Sequence, residues 1–459
     1  MSSRLLAVGS GVFSLVASLV FMVAVTRRLP EGELAQLARF NAAFAIASAA
    51  LGYITTWYPR ILARDRGALP DLLGLGLIFS AAAASAAALY LALSGVWDPA
   101  LYLFLFVLTA LAGLPTGAYL SVYRQTLLAS LSYLSQAAKV VGAFVVRLFP
   151  TADTALAVNV FMSLPTAAAS LRRPRLRRAA ELLREAARGA SYQTLALAAA
   201  YAGGLYVYVY GAVGGDRLLS YSYVLFQASK AVYPALAIVP LMYGSLLRAG
   251  DKARRALLDG AAVLYLYLAV AAVMASAPDW LVAFLRPGEL SGELVEAMRA
   301  NAVALLLSGF HLHLSNFLLG VEEKAVFTAR DKPGLALLGD LALTPVGLAL
   351  AYYAASAFGA VGMVAASAAT TAAAVAVRAL LLGAAARPLV ARLYLPALGT
   401  LALFYLLPMP RWYKFGDAAT TLLSFIPNGL LIAALALAVF AALSPATREA
   451  LVLLYRRLR

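Results

Sequence analysis

The 459-residue sequence contains no cysteine. Disulfides, thiolate metal sites and cysteine nucleophiles are excluded together. With only two histidines, a histidine-rich metal centre is excluded as well, and nothing in the chain implies a cofactor. Charge is also scarce. Charged residues make up 13% and hydrophobic ones 63%, whereas a soluble domain has about a quarter charged. Acids are rarer than bases, 21 against 37, which leaves a formal charge of +16. In a soluble protein that excess would point to nucleic acid. Here the bases fall mostly in short connections on one side, and no nucleic-acid partner is expected.

What remains is apolar sequence in long runs. A soluble core does not need so much apolar surface. A stack of membrane spans does, because each presents side chains to lipid as well as to protein. A span takes roughly 20 apolar residues, and on that measure the chain reads as about 14 spans. They cover Leu5–Thr26, Leu34–Tyr58, Leu72–Leu93, Leu101–Val122, Leu127–Val146, Ala155–Leu171, Tyr192–Val213 and Leu219–Leu247. Leu257–Met274, Val295–Leu319, Leu335–Tyr353, Val361–Leu382, Leu393–Leu407 and Ala418–Leu443 complete the set. The expected fold class is therefore an all-α polytopic membrane protein. The first run is long enough to span and no small-residue cleavage site clearly follows it, so it reads as a span and not as a signal peptide.

The connections orient the chain. Arg60, Arg64 and Arg66 follow the second span, Arg172 to Arg188 the sixth, Arg248, Lys252, Arg254 and Arg255 the eighth, and Lys324, Arg330 and Lys332 the tenth. Arg378, Arg387 and Arg392 count on the same side, as does the tail with Arg448, Arg456, Arg457 and Arg459. The opposite connections hold far fewer bases. Since basic loops stay cytoplasmic, both termini are expected in the cytoplasm of a multi-pass plasma-membrane protein.

The basic segment 172–189 divides the chain. Residues 1–171 form one six-helix lobe, 190–390 a second, and 391–459 two extra helices and a tail. An internal echo supports two halves. The second span ends in Tyr58-Pro59-Arg60, and the eighth carries Pro240-Leu241 before its own basic turn. An even span count per half implies parallel repeats about an axis along the membrane normal.

Charges within spans are costly, at least ~2.5 kcal/mol each at mid-helix, so the few present carry information. Once the connections are set aside, three bases remain: Arg39, Lys139 and Lys230. Ser132, Ser135, Gln136 and Lys139 share one helical face, as do Tyr223, Gln227, Lys230 and Pro234. Two half-polar stripes, each centred on a lysine, are what a hydrated cationic cavity requires, and such a cavity attracts phosphate or carboxylate. The competing reading pairs each lysine with Asp340 or a backbone carbonyl. Arg39, with Asn41 nearby, either joins the cavity or snorkels to the interface. Asp340 is an ion-pair partner, a coupling site or cavity wall. His311 and His313 point in different directions on one helix and make a poor metal pair. Gly11, Ser14 and Ser18 form a small-residue face suited to close packing. Tyr206, Tyr208 and Tyr210 suit an aromatic belt.

Several segments resemble a known family. Thr26-Arg27-Arg28-Leu29-Pro30-Glu31-Gly32-Glu33-Leu34-Ala35 is similar to the connection between the first two helices of polysaccharide flippases. Ser220-Tyr221-Ser222-Tyr223, the later Pro240-Leu241 and Gly250-Asp251-Lys252 resemble that family's eighth helix and the loop after it. The chain thus resembles the oligosaccharide flippases of the multidrug/oligosaccharidyl-lipid/polysaccharide exporter superfamily. The resemblance implies a transporter and no enzyme. It would move a lipid-linked, phosphate-bearing oligosaccharide by alternating access between two lobes, working as a monomer among membrane lipids. It implies a cationic central cavity, for which Lys139, Lys230, Arg39, Gln136, Gln227 and Asn41 are the candidates. It also implies a groove for the lipid tail in the last two helices. The first span has no charge between Arg4 and Arg27, so the cavity arginines of the lipid II flippase branch have no match there. The alternatives are a cation-coupled multidrug exporter of the same fold and a membrane-embedded glycosyltransferase. The latter would draw on Asp279, Glu289, Glu293 and Glu296 in the largest outer segment.

Overall fold

The computed structural model describes residues 2–169, 172–232, 246, 249–290, 292–322, 327–407, 409 and 411–458. Among them every regular element is helical. Pro234, Pro240, Leu241, Arg248, Lys324 and Arg459 lie outside the described residues, and with them the second half of the proline echo. The contacts divide the chain into two compact units, Met1–Ser220 and Tyr221–Arg459.

The first unit begins with α1 (Ser2–Arg28), α2 (Glu31–Thr55), α3 (Tyr58–Arg64) and α4 (Leu69–Leu93). It continues with α5 (Pro99–Gly113), α6 (Thr116–Tyr123), α7 (Gln125–Leu148) and α8 (Ala152–Ala168). A short helix, α9 (Ala179–Ala187), precedes the long α10 (Ala190–Ser229), whose last residues belong to the second unit. Local chemistry sets the starts. Asp98 caps α5 ahead of Pro99, and Thr151 caps α8 through the N–H of Thr154. Both are side-chain oxygens on otherwise orphaned donors. Glu33 in the first turn of α2 accepts from the N–H of Ala152 at 2.6 Å, so α2 also secures the start of α8. The fourth expected span is broken at Leu114–Pro115 into α5 and α6. Pro115 cannot donate, and it drives the residue before it out of helical geometry.

The second unit holds α11 (Lys252–Ser276), α12 (Pro278–Leu285), α13 (Gly292–Val321), α14 (Lys332–Leu382), α15 (Leu395–Leu406), α16 (Ala418–Leu443) and α17 (Pro445–Leu458). Asp251 and Asp417 cap α11 and α16. A π turn, Val390–Tyr394, leads into α15.

Among the described residues nine helices are long and apolar enough to cross a membrane. Two of these stretches contain more than one crossing. α10 turns at Gly215 (φ 59°) and α14 at Gly359 (φ 54°). Both are left-handed conformations that only glycine adopts without strain. With α1 and α8 added, each expected span has its helix, the eighth being described as far as Val232. The chain is a multi-pass α-helical membrane protein. Large apolar residues such as Ile78, Leu103, Phe144 and Leu430 remain exposed. That is the outward face expected of helices whose solvent is lipid.

Candidate functional site

In the first unit the polar stripe of α7 faces α1, against which that helix packs. The ammonium of Lys139 donates to Ser18 Oγ at 2.8 Å and lies 5.9 Å from the centroid of Phe21. Ser135 Oγ and Gln136 Oε1, on the same stripe, are buried and have no hydrogen-bond partner among the described residues. The small-residue face of α1 thus does two things: it lets α7 approach, and through Ser18 it supplies an acceptor. Ser18 is neutral. Among the described residues no carboxylate pairs with Lys139, so its charge is left uncompensated in apolar surroundings. That is the condition under which a point charge attracts an anion most strongly.

Arg39 has found an acid. Its Nη2 lies 3.0 Å from Asp216 Oδ1, which joins α2 to the residue just after the Gly215 turn. Asn41, two residues further along α2, is half-buried. Of Tyr206, Tyr208 and Tyr210 on α10, Tyr208 is exposed as an interface residue would be, whereas Tyr210 is buried against Tyr206.

Lys230 belongs to the second unit and opens a single 3₁₀ turn, Lys230–Val232, at the end of α10. Its ammonium stands 4.7 Å from the centroid of Phe226, one turn back. Gln227 is buried and hydrogen-bonded to Tyr223, so these two members of the stripe face protein.

The other charged cluster lies in the two arms of α14. Arg378 grips Asp340 with both terminal nitrogens, Nη1 to Oδ1 at 2.7 Å and Nη2 to Oδ2 at 2.6 Å. Its Nε donates to Ser315 Oγ at 2.8 Å, and Nη1 also reaches the Ala374 carbonyl. His311, one turn before Ser315 on α13, places Nε2 3.9 Å from Asp340 Oδ2. The partner of Asp340 is therefore neither lysine. Arg378, counted above among the bases of the cytoplasmic side, joins Arg39, Lys139 and Lys230 as a base within the expected spans, and its side chain is only 3% exposed. Loop counting assigned it to solvent because it lies near a helix end. A signal was nonetheless present. Asp340 and Arg378 are equidistant in sequence from Gly359, and a tight turn there brings them to the same height on antiparallel arms.

His313 has a separate role. It is fully enclosed, with Nδ1 2.7 Å from Tyr394 Oη and Nε2 3.1 Å from the Ala256 carbonyl. The carbonyl can only accept, so Nε2 carries the proton and Tyr394 donates to Nδ1. This ties α11, α13 and the π turn before α15 together. Gly260 makes room for it, since a Cβ there would overlap the imidazole. The two histidines thus serve different partners and share no ligand position.

Three of the four acids of segment 278–296 are also engaged, and Glu296 is exposed. Asp279 accepts from Tyr413 Oη at 2.9 Å and lies 3.6 Å from Arg411. Glu289 accepts from Tyr221 Oη at 3.0 Å. Glu293 accepts from the N–H of Ala360 at 3.0 Å and so secures the second arm of α14. Outside the spans, the basic segment docks on the first unit. Arg175 N–H donates to the Pro70 carbonyl, Arg178 N–H to Asp71, and the Arg178 guanidinium to both Asp65 and Glu181. Hydrogen bonds from Arg178 hold the Asp65 and Glu181 carboxyls below their usual values.

Comparison with solved structures places this architecture. A structure of the lipid II flippase MurJ, in an inward closed conformation, superposes with a TM-score of 0.64, covering 95% of this chain and 99% of that one at 10% identity. This chain shares the fold of that structure. Two MATE transporters are also similar. One is VcmN of Vibrio cholerae in a mutant form (TM-score 0.54, 16% identity, 84% and 98% coverage), the other a MATE in complex with MaL6 (0.52, 15%, 88% and 96%). No protein-family model and no curated protein sequence matches the chain. The likeness accordingly lies in the arrangement of helices and not in shared residues.

Proposed function

We propose that this protein is a flippase that moves a lipid-linked, phosphate-bearing oligosaccharide across the cell membrane by alternating access between two lobes. The observation that carries this reading is Lys139. A half-buried base within a span, held among the described residues by a serine hydroxyl and an aromatic face and by no carboxylate, is kept ready for an anion that comes and goes. Buried unpartnered oxygens beside it, on Ser135 and Gln136, extend the polar wall. The likeness to a lipid II flippase over 95% of this chain supports a large lipid-borne substrate. Lys230, Gln227, Arg39 and Asn41 complete the proposed substrate path, with 1–171 and 190–390 as the lobes, 391–459 as the lipid-tail element and both termini cytoplasmic. Arg39 would contribute only when its bond to Asp216 opens.

A cation-coupled exporter of the same fold is the second reading. It needs a carboxylate free to take a cation, and both oxygens of Asp340 are held by Arg378. A glycosyltransferase needs paired free acids, and Asp279, Glu289 and Glu293 hold structural partners, which leaves Glu296 alone. The deciding experiment is reconstitution into liposomes with a fluorescent lipid-linked oligosaccharide. The parent should accelerate leaflet exchange, and Lys139→Gln should slow it at least tenfold while leaving thermal stability near the parent's. Parent vesicles that leave lipid exchange unchanged but expel a cationic dye would overturn the flippase reading.

A further inference from the structure

The last span is followed at once by α17, and the two halves of that helix differ. The first half is fastened to the body. Ser444 Oγ donates to the Arg392 carbonyl at 2.6 Å, and Ala446 and Thr447 are buried. Glu449 accepts from Arg254 Nε and Nη2 at 3.1 and 2.5 Å. The second half leaves the body. Leu451, Val452, Leu453 and Tyr455 are 37, 50, 37 and 55% exposed.

The exposed residues are ordered. Leu451 and Tyr455 are one turn apart on one stripe, and Arg448, Val452 and Arg456 form the adjacent stripe. Glu449 is the helix's acid and is already matched by Arg254. Among the described residues no acid pairs with Arg448 or Arg456. The exposed surface of α17 is therefore an apolar stripe edged by guanidinium groups that no described acid matches, beginning where a membrane span ends. The apolar stripe is unfavourable in water, since apolar area left exposed forgoes about 25 cal/mol per Å², whereas the guanidinium groups are free to meet an anion. A helix lying in the headgroup plane satisfies both stripes at once.

We propose that the exposed half of α17 is a docking surface for anionic phospholipid headgroups. Leu451 and Tyr455 enter the boundary between headgroups and acyl chains, and Arg448 and Arg456 contact lipid phosphates. Each basic side chain near an anionic surface contributes about fivefold to partition, so the pair contributes roughly thirtyfold. The interaction is independent of the transported substrate.

The absence of cysteine makes the test direct. In full-length Val452→Cys the new thiol is the only one, and it sits between the two arginines without removing the apolar stripe. An environment-sensitive fluorophore at that thiol is followed in nanodiscs of phosphatidylcholine, with and without phosphatidylglycerol, using quenchers attached to the lipid chains. The expected result is strong quenching with phosphatidylglycerol and weak quenching without it. High salt and the added pair Arg448→Gln and Arg456→Gln should each reduce it, with the variant eluting as a single species like the parent. Equal quenching in both lipids, or quenching that survives the double substitution, overturns the proposal in favour of apolar contact alone. No quenching in either lipid overturns it too, as does disulfide cross-linking of unlabelled Val452→Cys between copies with no lipid effect.

Discussion

Removing the carboxylate of Asp340 should destabilise the second unit sharply, and removing Arg378 as well should restore it. The guanidinium is 3% exposed and both of its terminal nitrogens are spent on Asp340, whose own side chain is 22% exposed. Breaking a buried pair from one side costs about 3–5 kcal/mol, because the remaining charge loses its partner but not its desolvation. The partial exposure of Asp340 favours the lower end, about 3 kcal/mol for Asp340→Leu by the same reasoning. Arg378→Met should cost a comparable amount, with Ser315 and the Ala374 carbonyl also left without their donor. The double variant replaces the pair with apolar groups of similar bulk, which is commonly neutral or stabilising. The assay is a thermal or denaturant melt of all four proteins in one detergent. The expected coupling between the two substitutions is at least about 2 kcal/mol in favour of the double. Purely additive losses, or a single Asp340→Leu variant as stable as the parent, would refute the reasoning. Transport separates the two functional readings on the same set. If the pair only joins the arms of α14, the double variant keeps leaflet exchange. A coupling acid would be missed in the double as much as in the single.

Three further outcomes follow from other contacts. A carboxylate whose folded pKa is depressed contributes stability above its unfolded value and loses it as pH falls through the folded one. The docking of segment 172–189 by Asp65 and Glu181 should therefore be complete at neutral pH and fade below the ordinary values of 3.8 and 4.5. Pepsin cleavage within that segment should rise over the same acid window, and Arg178→Gln should be cleaved readily before the window is reached. Gly359→Ala forces a left-handed residue, at roughly 1–2 kcal/mol, and drives a Cβ into the Glu293 carboxylate that caps the next arm. Its melt should fall by at least that much, and Gly288→Ala, which meets open space, should be nearly neutral. Tyr394→Phe leaves His313 Nδ1 buried without its donor, a loss of about 1–3 kcal/mol. That loss should be measurable by melting in detergent, with the helical circular dichroism signal unchanged.

The helices were legible because an apolar run of about 20 residues fits a helical span and is too long for a barrel strand. An apolar run of spanning length must satisfy its own hydrogen bonds, and its ends are marked by caps such as Asp417 before Ala418. The interruption at Leu114–Pro115 was harder to foresee, since the apolar run continues through it. Buried charges were legible singly, because each is costly wherever it stands, but their partners were not. Lys139 and Ser18 sit on stripes noticed separately, and which helices pack together is a tertiary fact that periodicity does not contain. Arg39 and Asp216 are hidden for the same reason. Asp340 and Arg378 differ in kind. A glycine turn relates their two helices in sequence, so equal distance from Gly359 suffices to put them side by side. The contrast bears on function. A pair closed within one hairpin moves as a unit and can hold its helices together throughout a transport cycle. A base such as Lys139, with only a neutral acceptor from another helix, loses little when an anion displaces that acceptor. Hairpin symmetry in a sequence of this fold therefore separates charges that brace the scaffold from charges left to meet the substrate.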